Sequence, residues 1–136
     1  MPRKLLFLCI LLVSVALAGC RESAQQDPNG GSTAAGNISV EFSQQPAQVG
    51  DDQLYIRVTD AAGSNLPITE LNLRGDMSHA GMEPVITSYQ APEPDANGTY
   101  VIPFNWNMGG DWTLTVEATL QDGTKISEQV DLVVES

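Results

Sequence analysis

Alternating apolar and polar residues dominate the chain from residue 38 onward. In "TYVIPFNW", one face carries Tyr100, Ile102, Phe104 and Trp106, because successive side chains of a strand point to opposite sides. The same period of two recurs in "ISVEFS", "QLYIRVTD", "TELNLRG", "DWTLTVEATL" and "ISEQVDLVV". Segments of this kind, bounded by turn residues, predict β-strands.

Turn signals separate these segments. They include "DAAGSNLP", "PEPDANG" and the pair Asp122-Gly123, which predicts a hairpin between the last two strands. We find no sustained helical period and no internal repeat. About seven short strands in roughly a hundred residues predict an all-β fold, an antiparallel immunoglobulin-like β-sandwich.

The first 19 residues are typical of a secretory leader, with a basic start, a short apolar run and small residues before Cys20. The run is too short to favour a membrane-spanning helix. "LAGC" resembles the bacterial lipobox, in which the leader is cut before the cysteine and the cysteine is acylated. The alternative is an ordinary signal peptide with a chance cysteine. We therefore expect a lipid anchor at Cys20, a flexible tether over residues 20–37 and one folded domain over 38–136.

Charge and cysteine use restrict the possible functions. Without the leader, 17 acids face 4 bases, so phosphate backbones would be repelled and nucleic-acid binding is excluded. Asp51 and Asp52 look like ordinary turn residues. Since Cys9 leaves with the leader and Cys20 carries lipid, no thiol remains for a disulfide, a thiolate zinc site or a blue-copper centre.

The candidate chemistry is concentrated in "DMSHAGMEPV", where Met77 and Met82 flank the only histidine, His79. Thioether sulfur is soft and favours Cu(I), and imidazole adds a nitrogen donor. If "DMSH" is extended, Met77 and His79 share a face, and Gly81 can turn the chain so that Met82 approaches them. Met108 is a further candidate ligand if its loop lies at the same end of the sandwich.

A structural interpretation competes with the metal site. Methionine commonly fills irregular gaps in protein cores, and a lone histidine is often a surface or structural residue. From these residues alone, the segment is either a copper-binding loop or a turn that happens to contain these side chains.

Three stretches in order, "VTDAAGSNLPITELNL", "MSHAGMEP" and "NGTYVIPFNWNMGGDWTLTVEA", resemble the YtkA-like/FixH family of small extracytoplasmic β-sandwich domains. The resemblance covers about residues 52–118 and implies copper handling linked to respiratory oxidases or efflux systems. The positions that match its motifs are Met77, His79, Met82 and Met108. Trp112 matches as well, but its place on an apolar face makes it a core residue first.

These observations favour a binding protein over an enzyme. The histidine has no serine and acid arranged around it, and no glycine loop with a lysine is present to hold phosphate. We expect an extracytoplasmic, lipid-anchored Cu(I) carrier or accessory factor for a copper-requiring membrane protein, on the periplasmic side of the outer membrane if the cell has one. The alternative is an immunoglobulin-like binding or scaffold module that uses no metal and docks on a membrane complex.

Overall fold

The computed structural model describes residues 36–136, which contain eight β-strands and no helix. The strands are β1 Asn37–Phe42, β2 Ala47–Gln48, β3 Gly50–Thr59, β4 Ile68–Met77, β5 Val85–Gln90, β6 Thr99–Trp106, β7 Gly110–Leu120 and β8 Lys125–Glu135. The predicted leader, Cys20 and the tether up to residue 35 lie outside this range. In the part described, no helix is long and apolar enough to cross a membrane.

Two sheets face each other. One has the strand order β1-β3-β6 and the other the order β2-β8-β7-β4-β5. All neighbouring strands are antiparallel except β2, which pairs in parallel with β8 over two residues. The predicted all-β, immunoglobulin-like sandwich is therefore confirmed, with eight strands where the sequence predicts about seven.

The core lies between the sheets, on the faces that the alternation predicts. On β6 and β7 every second residue is buried, and the largest fully buried side chain is Trp106. Its ring packs 4.7 Å from that of Phe104 and 5.4 Å from that of Trp112. Tilted aromatic contacts at these distances stabilise beyond the area that they bury, and they fix the end of the core nearest the candidate loops.

The strand directions assign each loop to one of two ends. The β4–β5 loop, the β6–β7 loop and the start of β3 lie at the same end, because Met77 pairs with Trp112 and Gly50 pairs with Trp106. The chain enters β1 at the opposite end, where Asn37 pairs with Thr59. Ten-residue strands such as β4 separate the two ends by about 30 Å.

Candidate functional site

Met77 ends β4 as a half-buried side chain that packs against the hydrophobic core. Its Cε lies close to Gly110, where an added Cβ would stand 2.8 Å away. The chain then leaves the strand, so Ser78 and His79 lie in a bend and are exposed. The condition for placing Met77 and His79 on one face, an extended "DMSH", is therefore not met, since the strand ends at Met77.

A tight turn follows at His79. The Met82 N–H donates to the His79 carbonyl oxygen at 3.4 Å, and Gly81 has a φ of 88°, a left-handed conformation that favours glycine. Met82 comes out of this turn with 41% of its surface exposed. The turn therefore reverses the chain between His79 and Met82, and both side chains are exposed to solvent.

The start of β7 and the loop before it are held beside this turn. Ser78 donates twice to the Asp111 carbonyl oxygen, from its N–H at 3.1 Å and from its Oγ at 3.0 Å. Trp112 Nε1 donates to the Met108 carbonyl oxygen at 3.0 Å. Met108 itself is 46% exposed. The structure thus brings Met108 to the end that carries Met77, His79 and Met82.

The donors at this end include types that suit a soft metal ion. Within residues 36–136, no three His, Cys, Asp or Glu side chains are grouped so that they could hold a metal. Asp76 is already engaged by Arg74 through bonds of 2.7 and 2.8 Å, and this contact raises the pKa of the Arg74 guanidinium. Glu83 and Asp111 add exposed carboxylates at this end, and the methionine thioethers and one imidazole supply the ligand type that Cu(I) prefers.

A second polar feature was misread from the sequence. Asp51 and Asp52 lie within β3 and not in a turn, and Asp52 is 4% exposed. Its carboxylate accepts hydrogen bonds from the Ser43 hydroxyl, the Gln53 N–H at 2.7 Å and Trp106 Nε1 at 3.1 Å. The sequence does not show this role of Asp52, because its indole partner, Trp106, lies 54 residues further along the chain.

This carboxylate borders a groove of about 580 Å³ at the side of the sandwich. The groove runs between β5 and the β3–β6 pair, with an apolar part and an acidic part. It is lined by Ser43, Asp51, Asp52, Gln53, Val85, Thr87, Pro103, Phe104 and Asn105. No basic side chain contributes to this lining.

The fold and loops together define a small β-sandwich that carries His79 and three methionines at one end. The model of the YtkA-like family matches residues 32–117, which is more than half of the chain. The chain belongs to the YtkA-like family. The match begins about 20 residues before the stretch in which the resemblance was recognised, so it includes β1 and β2 as well.

Comparison with solved structures agrees on the fold. The superoxide reductase (neelaredoxin) from Ignicoccus hospitalis has a TM-score of 0.53 and 12% identity, over 73% of this chain and 80% of that one. The protein PH1083 from Pyrococcus horikoshii OT3 has a TM-score of 0.51 and 11% identity, over 72% and 89%. At such identities the similarity shows a shared sandwich architecture alone. A search of curated protein sequences finds no match.

Proposed function

We propose that this protein is an extracytoplasmic lipoprotein that binds Cu(I) at the loop end of the sandwich. It would act as a copper carrier or accessory factor for a respiratory or efflux complex, and not as an enzyme. His79 is the nitrogen ligand, and the thioethers of Met82 and Met108 are the sulfur ligands. Met77 borders the site from the core side, where it can serve as a further ligand.

The observation that carries this proposal is the fastening of the two loops. Met82 and Met108 are 26 residues apart in sequence. Ser78 joins the β4–β5 loop to the start of β7, and Trp112 of β7 holds the backbone of Met108, so both loops are anchored to the same strand. A site formed from two anchored loops loses less conformational entropy on binding than one that must first be ordered. Exposed methionine side chains cost free energy because they place apolar surface in water. A role as metal ligands would offset this cost.

The exposure of the donors favours transfer over storage. His79 and Met82 lie at the surface, Met108 is 46% exposed, and thioethers and imidazole are neutral ligands. A copper ion held there remains open to attack by a partner's ligands. The described part of the chain enters the domain at the opposite end, about 30 Å from these loops.

A Cu(I) competition titration tests the proposal. The protein comprising residues 21–136 is titrated anaerobically against a colorimetric Cu(I) chelator, beside His79→Ala, Met82→Leu and Met108→Leu. We expect one tightly bound equivalent in the parent protein, and at least a tenfold loss of affinity in each variant. Each exposed site should tolerate its substitution with little change in the melting temperature.

Met77→Leu distinguishes packing from ligation, because it replaces a methionine of the same end that packs against the core. A swap of similar volume costs less than about 1.5 kcal/mol. Retained Cu(I) affinity with a small drop in stability would assign Met77 to packing, and lost affinity would make it a fourth ligand. A parent protein that does not compete with the chelator would contradict the copper proposal and favour a docking module without metal.

A further inference from the structure

The four outer edges of the two sheets differ in how they are protected. Exposed strand edges invite pairing with other chains, and proteins usually block them with charges, proline, bulges or very short strands. Here β2 has only two residues, β1 carries Glu41 and lies against β8, and β6 contains Pro103. In contrast, β5 reads "VITSYQ", six residues with no charge, no proline and no bulge in its pairing with β4.

The register shows which peptide groups of β5 are free. The Ala91 N–H donates to the Thr69 carbonyl oxygen at 2.8 Å. Bonded and non-bonded pairs alternate along an antiparallel ladder, so Val85, Thr87 and Tyr89 direct their N–H and C=O groups toward β4. The N–H and C=O groups of the alternate residues point outward from the sheet edge. These are Ile86, Ser88 and Gln90.

The neighbouring edge cannot take a strand in the same way. Pro103 has no N–H, and its carbonyl oxygen accepts a hydrogen bond from the Tyr89 hydroxyl at 3.2 Å. A proline in a strand is tolerated where its nitrogen faces away from the ladder, and here it blocks β6. Any strand that joins this side of the molecule must therefore pair with β5.

A strand added to β5 would also cover the groove beside it. Side chains on its inner face would lie next to Val85 and Thr87, which line the groove together with Phe104. Beyond these surfaces stands the exposed carboxylate of Asp51, whereas that of Asp52 is buried and already hydrogen-bonded. A side chain that enters there meets an apolar stretch first and then negative charge, which is the surface that a lysine or arginine matches.

We propose that the β5 edge is a docking site for an extended segment of a partner protein, which adds a strand to the sheet and places a basic side chain in the groove. A second copy of this chain fits less well. Its own β5 would bring only neutral side chains to the Asp51 carboxylate, and each chain carries a formal charge of −11. The site is separate from the proposed copper ligands and does not depend on them.

The test is a nitrogen-15 NMR titration of the full chain, with Cys20→Ser to avoid acylation. The probe is an eight-residue peptide of alternating threonine and lysine with blocked ends. Strand addition predicts that the amide protons of Ile86, Ser88 and Gln90 shift as they gain hydrogen bonds. The amides of Val85, Thr87 and Tyr89 are already bonded to β4 and should shift less. Only pairing at this edge produces such an alternation.

Variants distinguish the contribution of backbone hydrogen bonds to peptide binding from the contribution of charge. Ser88→Pro removes an outward N–H and should abolish the shifts, whereas Ser88→Ala keeps that N–H and should bind normally. If Ser88→Pro does not fold, a peptide N-methylated at every second residue provides the same test. Asp51→Asn should weaken binding two- to fivefold, the range expected for one exposed charge pair.

Three results would overturn the proposal. The first is no alternating shift at millimolar peptide. The second is equal binding of a threonine–glutamate peptide, which would remove the basic side chain from the site. The third is the same shift pattern on raising the protein concentration without peptide, which would make a second copy the occupant.

Discussion

Asp52→Asn tests the buried carboxylate with almost no change in shape. The substitution keeps an acceptor oxygen for Ser43 and the Gln53 N–H, but places an NH₂ group in contact with Trp106 Nε1. Two donors then face each other at a contact that measures 3.1 Å in the native protein. Because Asp52 is 4% exposed and Trp106 is fully buried, water cannot replace the lost partner.

The expected loss follows from the contact. A hydrogen bond to a charged group contributes about 1.5–3 kcal/mol, and an unsatisfied buried donor costs a similar amount. We therefore expect Asp52→Asn to lower the free energy of unfolding by about 2 kcal/mol. For a domain of this size, that corresponds to a melting temperature lower by about 8–16 °C. Urea unfolding followed by far-UV circular dichroism measures the change.

Two comparisons make the prediction specific. Asp51→Asn alters the neighbouring carboxylate, which is exposed and bonded to Asn105 at 2.7 Å, and should change stability by less than about 0.5 kcal/mol. In a Trp106→Phe background, which lacks the indole N–H, Asp52→Asn should cost much less than in the native chain. An undiminished cost there, or a stable single variant, would refute the reasoning.

Two further predictions concern packing and pH. Gly75→Ala should destabilise the domain by about 1–3 kcal/mol, because the added Cβ would stand 3.0 Å from Phe104 and 3.3 Å from Trp112. A urea unfolding midpoint equal to or above that of the native protein would contradict this prediction. The pKa of Asp122 lies below its ordinary value of 3.8, chiefly because the Thr124 N–H donates to its carboxylate. The stabilisation that this bond provides should therefore persist above pH 4 and disappear as the pH falls through the lowered pKa. A carbon-13 NMR titration of Asp122 checks this, and a midpoint at or above 3.8 would contradict it.

The fold was predictable where burial has a period of two. On β6 and β7 the apolar residues alternate with polar ones, and the structure buries those faces. On β5 the inward residues are Val85, Thr87 and Tyr89, while the exposed positions include Ile86 at 62%. This strand was not predicted, because its two faces barely differ in polarity. The two residues of β2 are too few to show any period.

The candidate site was predictable in its residue types and less so in its geometry. The sequence identifies His79 and the methionines, but it does not show that β4 ends at Met77 or that the core covers half of that side chain. It also offers no sign that Ser78 binds the start of β7, since this bond joins residues 33 positions apart. Contacts of this kind depend on strand register, which local patterns do not specify.

The close pair of indoles gives the protein an intrinsic optical reporter. Trp106 and Trp112 are the chain's two tryptophans, and their rings meet nearly edge to face, at 72°. All indole emission therefore arises at one end of the domain, and one of the two rings is hydrogen-bonded to the backbone of Met108. Fluorescence and near-ultraviolet circular dichroism should thus follow events at these loops directly, without an attached dye.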